Sequence, residues 1–262
     1  MKILTINGSY RKSGNSAQIL EMVTSRMQEF TLGKHESLEL EMINLGHQNI
    51  QLCRGCRVCF DIGENQCPLK DDLLSIRANM RAADGTLLAS PVYVNDVNGI
   101  TKNWMDRLAF LCHRPEFAGK SAYLITTVGI GTASHALKTM KMALSTWGFQ
   151  IAGQASFKMG ARTKKADAEA RFQEKTTQIA ERFFQAVLTQ ADTPPSFISL
   201  ITFRIQQAYW QQRSKDKSID HTYWRNQGWT DPNRDYYTAH GAGRFKVVLA
   251  RFTGALLALF VA

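Results

Sequence analysis

The stretch "KILTINGSYRKSGNSAQIL", residues 2–20, joins a strand, a loop and the start of a helix. The apolar run at 2–6 predicts a β-strand, and helical spacing predicts a helix over about residues 16–30. Small, polar and charged residues fill the loop between them: Ser9, Arg11, Ser13, Gly14, Asn15 and Ser16. Exposed N–H groups, hydroxyls and a helix N-terminus favour phosphate binding, and Arg11 adds a full charge. An ordinary capped turn is the alternative. The loop has neither G-x-G-x-x-G nor the Gly-Lys-Ser/Thr ending of a Walker loop.

Strand and helix patterns then alternate along the chain. Strands are predicted at 2–6, 40–45, 85–93, 121–128 and 149–157, and helices at about 16–30, 71–82, 98–112, 134–147 and 166–189. The strands are nearly continuous runs of Val, Ile and Leu, which is typical of strands covered on both faces. The alternation predicts an α/β fold with a flavodoxin-like, doubly wound parallel sheet of five strands in the order 2-1-3-4-5.

Composition limits the class of protein. With 262 residues, of which 44% are hydrophobic, the chain can bury a core and is not a disordered protein. Its formal charge of +10 attracts acidic partners. The start "MKILTING" shows no secretory signal, so we expect a cytoplasmic location with reduced thiols.

The alternating pattern stops near "TQADTPPSF" (189–197), where two prolines predict a boundary. We therefore expect one domain at 1–190 and a basic, aromatic-rich, mostly helical extension at 191–262. Residues 201–262 hold three of the five Trp, four of the seven Tyr, and nine Lys/Arg against four Asp/Glu.

The extension ends in "FKVVLARFTGALLALFVA", in which 11 residues follow Arg251. That is short of the roughly 20 residues needed to span a bilayer. The role we rank first for this segment is packing on another subunit or on the core of the protein. Peripheral membrane contact, with Lys246 and Arg251 meeting anionic lipid, comes second. Nucleic-acid binding ranks last, because no recognised nucleic-acid module is present, and no nucleic-acid partner is predicted.

Two further loops leave predicted strands at the same edge as the first. They are "SPVYVNDVNGITKNWMDRL" (90–108) and "TTVGIGTASH" (126–135). Pro91 stiffens its loop, Tyr93 offers a stacking face, and the glycines at 129 and 131 allow close backbone approach. Any one loop is explained by turn chemistry, but three loops at one edge favour a binding site for a flat ligand.

Together, "GSYRKSGNSA", "SPVYVNDVNGITKNWMDR" and "TTVGIG" resemble the flavodoxin-like NAD(P)H-dependent FMN reductase family over roughly residues 1–190. The resemblance implies an FMN phosphate held by Ser9, Arg11, Asn15, Ser16 and Ala17. It implies an isoalloxazine bordered by Pro91, Val92, Tyr93, Val94 and Asn95, and by Thr127, Val128, Gly129 and Gly131. Tyr10 stands where Pro is frequent and Ser16 where Thr is, and neither change removes a phosphate donor. Lys102 and Arg107, on the helix after the second loop, are expected at the helix surface.

The implied function is an FMN-dependent oxidoreductase that passes electrons from NAD(P)H through FMN to an acceptor. We also expect a homo-dimer or homo-tetramer. The alternative is a non-catalytic, flavodoxin-like electron carrier or a docked electron-transfer module. Such carriers are usually acidic, so the charge of +10 argues against the carrier.

Four of the five cysteines lie in "CRGCRVCFDIGENQC", spaced C-x2-C-x2-C-x7-C. They are Cys53, Cys56, Cys59 and Cys67, and they follow the second predicted strand at the same sheet edge. The compact triple fits a [4Fe–4S] cluster. Zinc favours two separated C-x2-C knuckles, and a redox dithiol needs only one. A metal-free loop is the other main alternative. The pattern also resembles the iron–sulfur flavoprotein branch of the same family. Cys112, far from these four, is expected in the core.

Overall fold

Residues 1–32, 37–160, 163–213 and 218–260 are described by the computed structural model, and they form six strands and nine α-helices. The strands are β1 Lys2–Asn7, β2 Glu39–Asn44, β3 Gly85–Tyr93, β4 Asp96–Val97, β5 Ser121–Val128 and β6 Gln150–Lys158. The helices are α1 Asn15–Leu32, α2 Val58–Asp61, α3 Leu73–Ala82, α4 Gly99–Arg107, α5 Ser134–Thr146, α6 Lys165–Leu188, α7 Phe197–Gln212, α8 Ile219–Asn226 and α9 Arg244–Ala258. Short 3-10 turns lie at Leu45–His47, Glu64–Gln66 and Ala109–Cys112.

Five of the strands form one parallel sheet in the order β2-β1-β3-β5-β6. The predicted flavodoxin-like order is therefore confirmed. The sixth strand, β4, pairs antiparallel with the end of β3 and was not predicted. A single tight turn separates β3 from β4, and a two-residue strand leaves too short a pattern to recognise.

Both faces of the sheet are covered by helices. Ile3, Leu87 and Ile125 pack on the side of α1 and α6, in a cluster with Val23 and Phe183. The neighbouring residues Leu4, Leu88 and Leu124 pack on the opposite side with α3, α4 and α5. All eight residues of β5 are buried. Two-sided cover explains why the strands are almost uninterrupted apolar runs.

The predicted helix at 98–112 is divided. The helix α4 ends at Arg107, and a 3-10 turn follows at Ala109–Cys112. Cys112 is half-buried against the core, and its Sγ lies 3.3 Å from Thr146 Oγ1. Lys102 lies at the helix surface, as expected, and pairs with Asp106 at 2.5 Å.

The expected surface position of Arg107 is wrong. Its side chain is 3% exposed, and its guanidinium lies 2.6 Å from Asp71, whose side chain is 1% exposed. Arg107 also donates to Gln51 O at 2.7 Å, while Asp71 accepts from Leu73 N at the start of α3. The segment between β2 and α3 covers this face of α4, so the cation is buried together with its acceptors.

The extension has a core of its own, formed mainly by large aromatic side chains. Trp224 is fully buried and contacts Phe203, Trp229 and Tyr237, with ring centroids 5.7, 5.2 and 5.9 Å away. Trp224 Nε1 donates to His113 O at 2.7 Å, which ties this core to the turn after α4. The mostly helical character of the extension is confirmed, whereas the division of the chain at residue 190 stays a prediction. Among the described helices, none combines the length and the apolar character that crossing a bilayer requires.

Replacing Trp224 by alanine removes a buried indole and its hydrogen bond to His113 O. We expect Trp224→Ala to lower the free energy of unfolding of the extension by about 3–5 kcal/mol. Phe245→Ala is the matched control, because Phe245 is an exposed aromatic of the same extension. Urea unfolding followed by far-UV circular dichroism measures both variants. Equal unfolding curves for the two variants would contradict the packing described here.

Replacing Asp71 by asparagine leaves Arg107 buried without its counter-ion. We expect Asp71→Asn to cost about 3–5 kcal/mol at neutral pH. The control Asp106→Asn breaks an exposed pair and should cost at most about 0.5 kcal/mol.

The cost of Asp71→Asn should also depend on pH. Burial alone would raise the pKa of Asp71, but hydrogen bonds from Arg107, Gln51 N and Leu73 N hold this pKa below its ordinary value. The stabilisation is thus complete above the unfolded-state pKa of about 3.9 and is lost as the pH falls through the lower folded-state pKa. The gap between wild type and Asp71→Asn in urea unfolding should narrow in acid. A constant gap would contradict the assignment.

Candidate functional site

The loop after β1 is fixed by its glycine. Gly8 N donates to Ala89 O on β3 at 2.7 Å, and Gly8 O accepts from Asn98 Nδ2 at 2.6 Å and from Thr101 Oγ1 at 3.2 Å. A Cβ at residue 8 would lie 2.1 Å from Thr101 Oγ1, so a larger residue does not fit. Asn98, the N-cap of α4, also accepts from Thr101 N. The start of α4 thereby holds the first loop in place.

Beyond Gly8, the loop orders its own polar groups. Ser9 Oγ accepts from Arg11 N at 3.0 Å, and Ser9 N donates to Asn7 Oδ1 at 3.2 Å. Ser16, in the first turn of α1, is buried, and its Oγ lies 2.8 Å from Thr127 Oγ1 at the end of β5. These contacts join the first and third predicted loops at the carboxyl edge of the sheet.

A cleft of about 150 Å³ opens between these loops, and we call it the edge cleft. It is lined by Ser9, Arg11, Gly14, Asn15, Ser16, Pro91, Val92, Tyr93, Thr127, Gly129 and Met159. Among these described residues the charged side chain is a cation, none is a carboxylate, and the first turn of α1 has no acidic residue. One wall is polar and the other is formed by Pro91, Val92 and Tyr93. This donor set fits a phosphate attached to a flat ring.

Nine of the predicted site residues line the edge cleft, and five do not. Ala17 and Val128 are buried, and Val94 is fully exposed. Asn95 and Gly131 lie close to each other, because a Cβ on residue 131 would be 3.5 Å from Asn95 Oδ1. For all fourteen residues the roles implied by the sequence stay predictions.

The rim of the edge cleft includes a strained hairpin. Tyr93 pairs with Asp96 across a two-residue turn, in which Val94 and Asn95 have φ of 50° and 63°. Positive φ suits Asn but is costly for β-branched Val, by roughly 1–2 kcal/mol. Asp96 lies 3.2 Å from His135, an exposed residue of the first turn of α5. This pair links the hairpin to the helix that follows the third loop.

All four clustered cysteines line a second cavity, of about 230 Å³, which we call the cysteine cavity. Cys53 and Cys56 are exposed, whereas Cys59 and Cys67 are half-buried. Cys53 N donates to Asn103 Oδ1 on α4 at 3.1 Å. Arg107, also on α4, has Nη2 4.0 Å from Cys67 Sγ. The helix α4 therefore anchors the cysteine loop at both ends.

The thiols also affect one another. Burial raises the pKa of the Cys59 thiol, and a backbone hydrogen bond lowers it in part. The neighbouring Cys67 and Cys53 raise this pKa further, and the charge of Arg114 offsets some of that increase. Within the described ranges, no three His, Cys, Asp or Glu side chains are arranged to bind a metal ion. The donor set nevertheless matches the all-cysteine ligands of iron–sulfur clusters.

The extension secures the cysteine loop from the other side. Arg114 donates to Cys59 O at 2.7 Å, to Glu64 at 3.1 Å, and to Asp220 of α8. Asp220, which is buried, also lies 2.7 Å from His113 Nδ1. A carboxylate of the extension thus organises an arginine that holds the backbone of a cysteine.

Several residues of these sites are not apparent from the sequence. Met159 follows β6, and its O accepts from Asn15 Nδ2 at 3.2 Å. Its position directly after the last parallel strand is the feature of the sequence that could have placed it at the edge cleft. Asn98, Thr101 and Asn103 lie inside a quoted motif, but only the fold shows that they face the two loops. Asp220, 106 residues from Arg114 in the chain, gives no local signal.

Comparison with known proteins identifies the family. Residues 1–164 match the NADPH-dependent FMN reductase family. An iron-sulfur flavoprotein of Archaeoglobus fulgidus is 30% identical over 156 residues, which are 59% of this chain and 67% of that protein. An iron-sulfur flavoprotein of Methanocaldococcus jannaschii is 36% identical over 107 residues, which are 41% of this chain and 51% of that protein. The alignments thus span about half to two thirds of these relatives.

Solved structures share the fold. RosB with bound 8-demethyl-8-formylriboflavin-5'-phosphate has a TM-score of 0.59 at 15% identity, covering 83% of this chain and 88% of RosB. An FMN-dependent NADH-azoreductase from Bacillus anthracis in complex with FMN has a TM-score of 0.51 at 14% identity, covering 69% and 98%. The family match over 1–164, together with the sheet order, leads to one conclusion: this chain belongs to the NADPH-dependent FMN reductase family.

Proposed function

We propose that this protein is an FMN-dependent oxidoreductase that takes electrons from NADH or NADPH and delivers them to an acceptor through a [4Fe–4S] cluster. The observation that carries the proposal is that one helix, α4, holds both the loop of the edge cleft and the loop with four cysteines. When bound, FMN would supply hydride acceptance and the cluster would supply single-electron transfer. The protein's own part is to bind and orient these two groups and to limit the access of water to them.

The polar wall of the edge cleft is assigned to the FMN phosphate. Ser9, Asn15 and Ser16 contribute donors, and Arg11 contributes the charge. The first turn of α1 adds N–H groups and a partial positive charge. The hydrogen bond between Ser16 and Thr127 keeps the two sides of the cleft at a fixed separation.

The apolar wall is assigned to the isoalloxazine. Pro91, Val92 and Tyr93 form a stiff border, and Thr127 and Gly129 face them across the cleft. Tyr93 and Val94 remain exposed at the mouth, so a nicotinamide has an apolar surface on which to stack. No acid, base or nucleophile of the chain is required.

The cysteine cavity is assigned to the cluster, with Cys53, Cys56, Cys59 and Cys67 as ligands. Arg107 lies beside this ligand set, and its positive charge would offset the negative charge of a thiolate-bound cluster. The relatives named iron-sulfur flavoproteins support the assignment. A metal-free loop and a zinc site are its competitors.

The role of Arg11 is tested with two ligands that differ only in the phosphate. Arg11→Gln should weaken FMN binding about tenfold or more, because it removes a charge-assisted hydrogen bond. Riboflavin, which has no phosphate, should bind wild type and variant alike. Lys12→Gln is the control, because Lys12 is an adjacent exposed cation outside the cleft. Fluorescence titration measures the six affinities, of three proteins for two ligands. Equal losses for FMN and riboflavin would show that Arg11 does not hold the phosphate.

The cluster is tested by anaerobic purification followed by flavin, iron, acid-labile sulfide and zinc assays. Wild type should contain iron and sulfide, Cys56→Ser should lose most of both and keep its flavin, and the matched control Cys112→Ser should resemble wild type. Cys112 lies outside the cysteine cavity. If wild type contains flavin but neither iron nor sulfide, the cluster assignment is wrong. If it contains stoichiometric zinc, the cysteines form a zinc site instead.

Turnover separates an enzyme from a carrier. The FMN-loaded protein should oxidise NADH or NADPH at a catalytic steady-state rate with at least one of several acceptors. When FMN is limiting, this rate should be lower for Arg11→Gln than for wild type. Absence of turnover with both nucleotides would favour the carrier.

A further inference from the structure

The helix α9 carries an apolar stripe along its outer side. Exposed side chains recur every three or four residues, at Phe245, Val248, Leu249, Phe252 and Leu256 of α9 and at Phe260 in the turn that follows it. The three phenylalanines are 81%, 70% and 82% exposed. The inner side, with Val247, Ala250 and Gly254, packs on α7, and Gly254 lies so close that a Cβ there would be 2.7 Å from Arg204 Cβ. No described residue covers the stripe.

The size of the stripe is unusual for a free surface. At about 200 Å² for each aromatic side chain, the three phenylalanines alone expose on the order of 450 Å². The aliphatic residues between them carry the total beyond the roughly 300–600 Å² of the largest apolar patch on a typical monomer. A surface of this size indicates an interaction site.

The charged residues of the helices α5, α7 and α9 are of one sign. The helices α5, α7 and α9 contain no Asp or Glu and six Lys or Arg. Exposed Lys138 and Lys141 of α5 line a groove of about 470 Å³ with Ile198 of α7, which is 69% exposed. Exposed Arg244 lies at the start of α9 itself.

Two cations of α9 that were expected to meet lipid instead bind the segments that precede α7 and α9. Lys246 Nζ donates to Pro195 O at 2.6 Å, and Arg251 pairs with Asp235 at 2.6 Å while donating to Pro232 O. The expectation that Lys246 and Arg251 meet lipid is therefore wrong. These three contacts fix the helix so that its apolar side faces outward.

We propose that the stripe of α9, with the exposed Arg244 at its start, docks on the surface of an anionic bilayer. At 15 residues α9 is too short to span a bilayer, but an apolar side of this kind can lie in the headgroup region. Arg244 then meets anionic lipid, a modest electrostatic gain that salt weakens. A second copy of the chain is disfavoured, because α9 contains no Asp or Glu that could pair with the Arg244 of the other copy.

Docking in this way leaves the edge cleft accessible. Pro195, which anchors the start of α9, lies next to Thr193, whose O accepts from Gln150 Nε2 at the first residue of β6. The start of α9 is therefore tied to the amino edge of the sheet, and the edge cleft lies at the carboxyl edge.

Vesicle flotation of the full-length, cofactor-loaded protein tests the proposal. The vesicles are phosphatidylcholine alone or an equimolar mixture with phosphatidylglycerol. Wild type should float with the anionic vesicles, less with the neutral ones, and less again at high salt. Val248→Gln/Phe252→Gln should lower the partition coefficient roughly tenfold or more, because two apolar side chains no longer enter the bilayer. Arg244→Gln should lower binding to anionic vesicles only.

The matched control is Leu188→Gln, which changes an exposed apolar residue of α6 outside the stripe and should float like wild type. All variants are checked for unchanged flavin content and circular dichroism, so that loss of binding is not loss of fold. The proposal is overturned by wild type that stays in the lower fraction with every vesicle, or by equal flotation of wild type and Val248→Gln/Phe252→Gln. Sedimentation that shows a dimer dissolved by the same substitutions, without vesicle binding, overturns it in favour of a second copy.

Discussion

The buried side of α4 determines where both candidate sites lie. Asn98 and Thr101 bind Gly8 O, which fixes the loop of the edge cleft, and Asn103 and Arg107 hold the segment that carries the cysteines. The buried pair of Arg107 with Asp71 adds a charge-assisted bond that is strong because water is excluded. One short helix, only nine residues long, therefore positions two loops that are more than 40 residues apart in the chain.

The extension contributes to the site as well as to stability. Asp220 of α8 orients Arg114, and Arg114 binds the carbonyl of Cys59. The cysteine loop is thus held by α4 on one side and by α8 on the other. The same extension thus holds the cysteine loop through α8, and its helix α9 carries the apolar stripe that we propose docks on a membrane.

Sequence patterns were sufficient for the sheet order and for the loops that form the edge cleft, because buried parallel strands and phosphate-binding loops depend on local composition. They were insufficient where a residue's role depends on what covers it. Arg107 has the appearance of a surface cation until the segment before α3 is placed over it. Lys246 and Arg251 have the appearance of lipid ligands until Pro195 and Asp235 are seen to bind them. The β3–β4 hairpin was missed because its turn contains Val94, a residue that rarely adopts positive φ.

We propose that one polypeptide holds a flavin and an iron–sulfur cluster that exchange electrons. Anaerobic reductive titration of the purified protein, followed by absorbance and electron paramagnetic resonance, tests it most directly. The account predicts that each chain takes up more reducing equivalents than its bound flavin accepts, with a paramagnetic iron–sulfur signal that appears as the flavin is reduced. Uptake equal to the flavin content alone, with no iron–sulfur signal, would contradict the account.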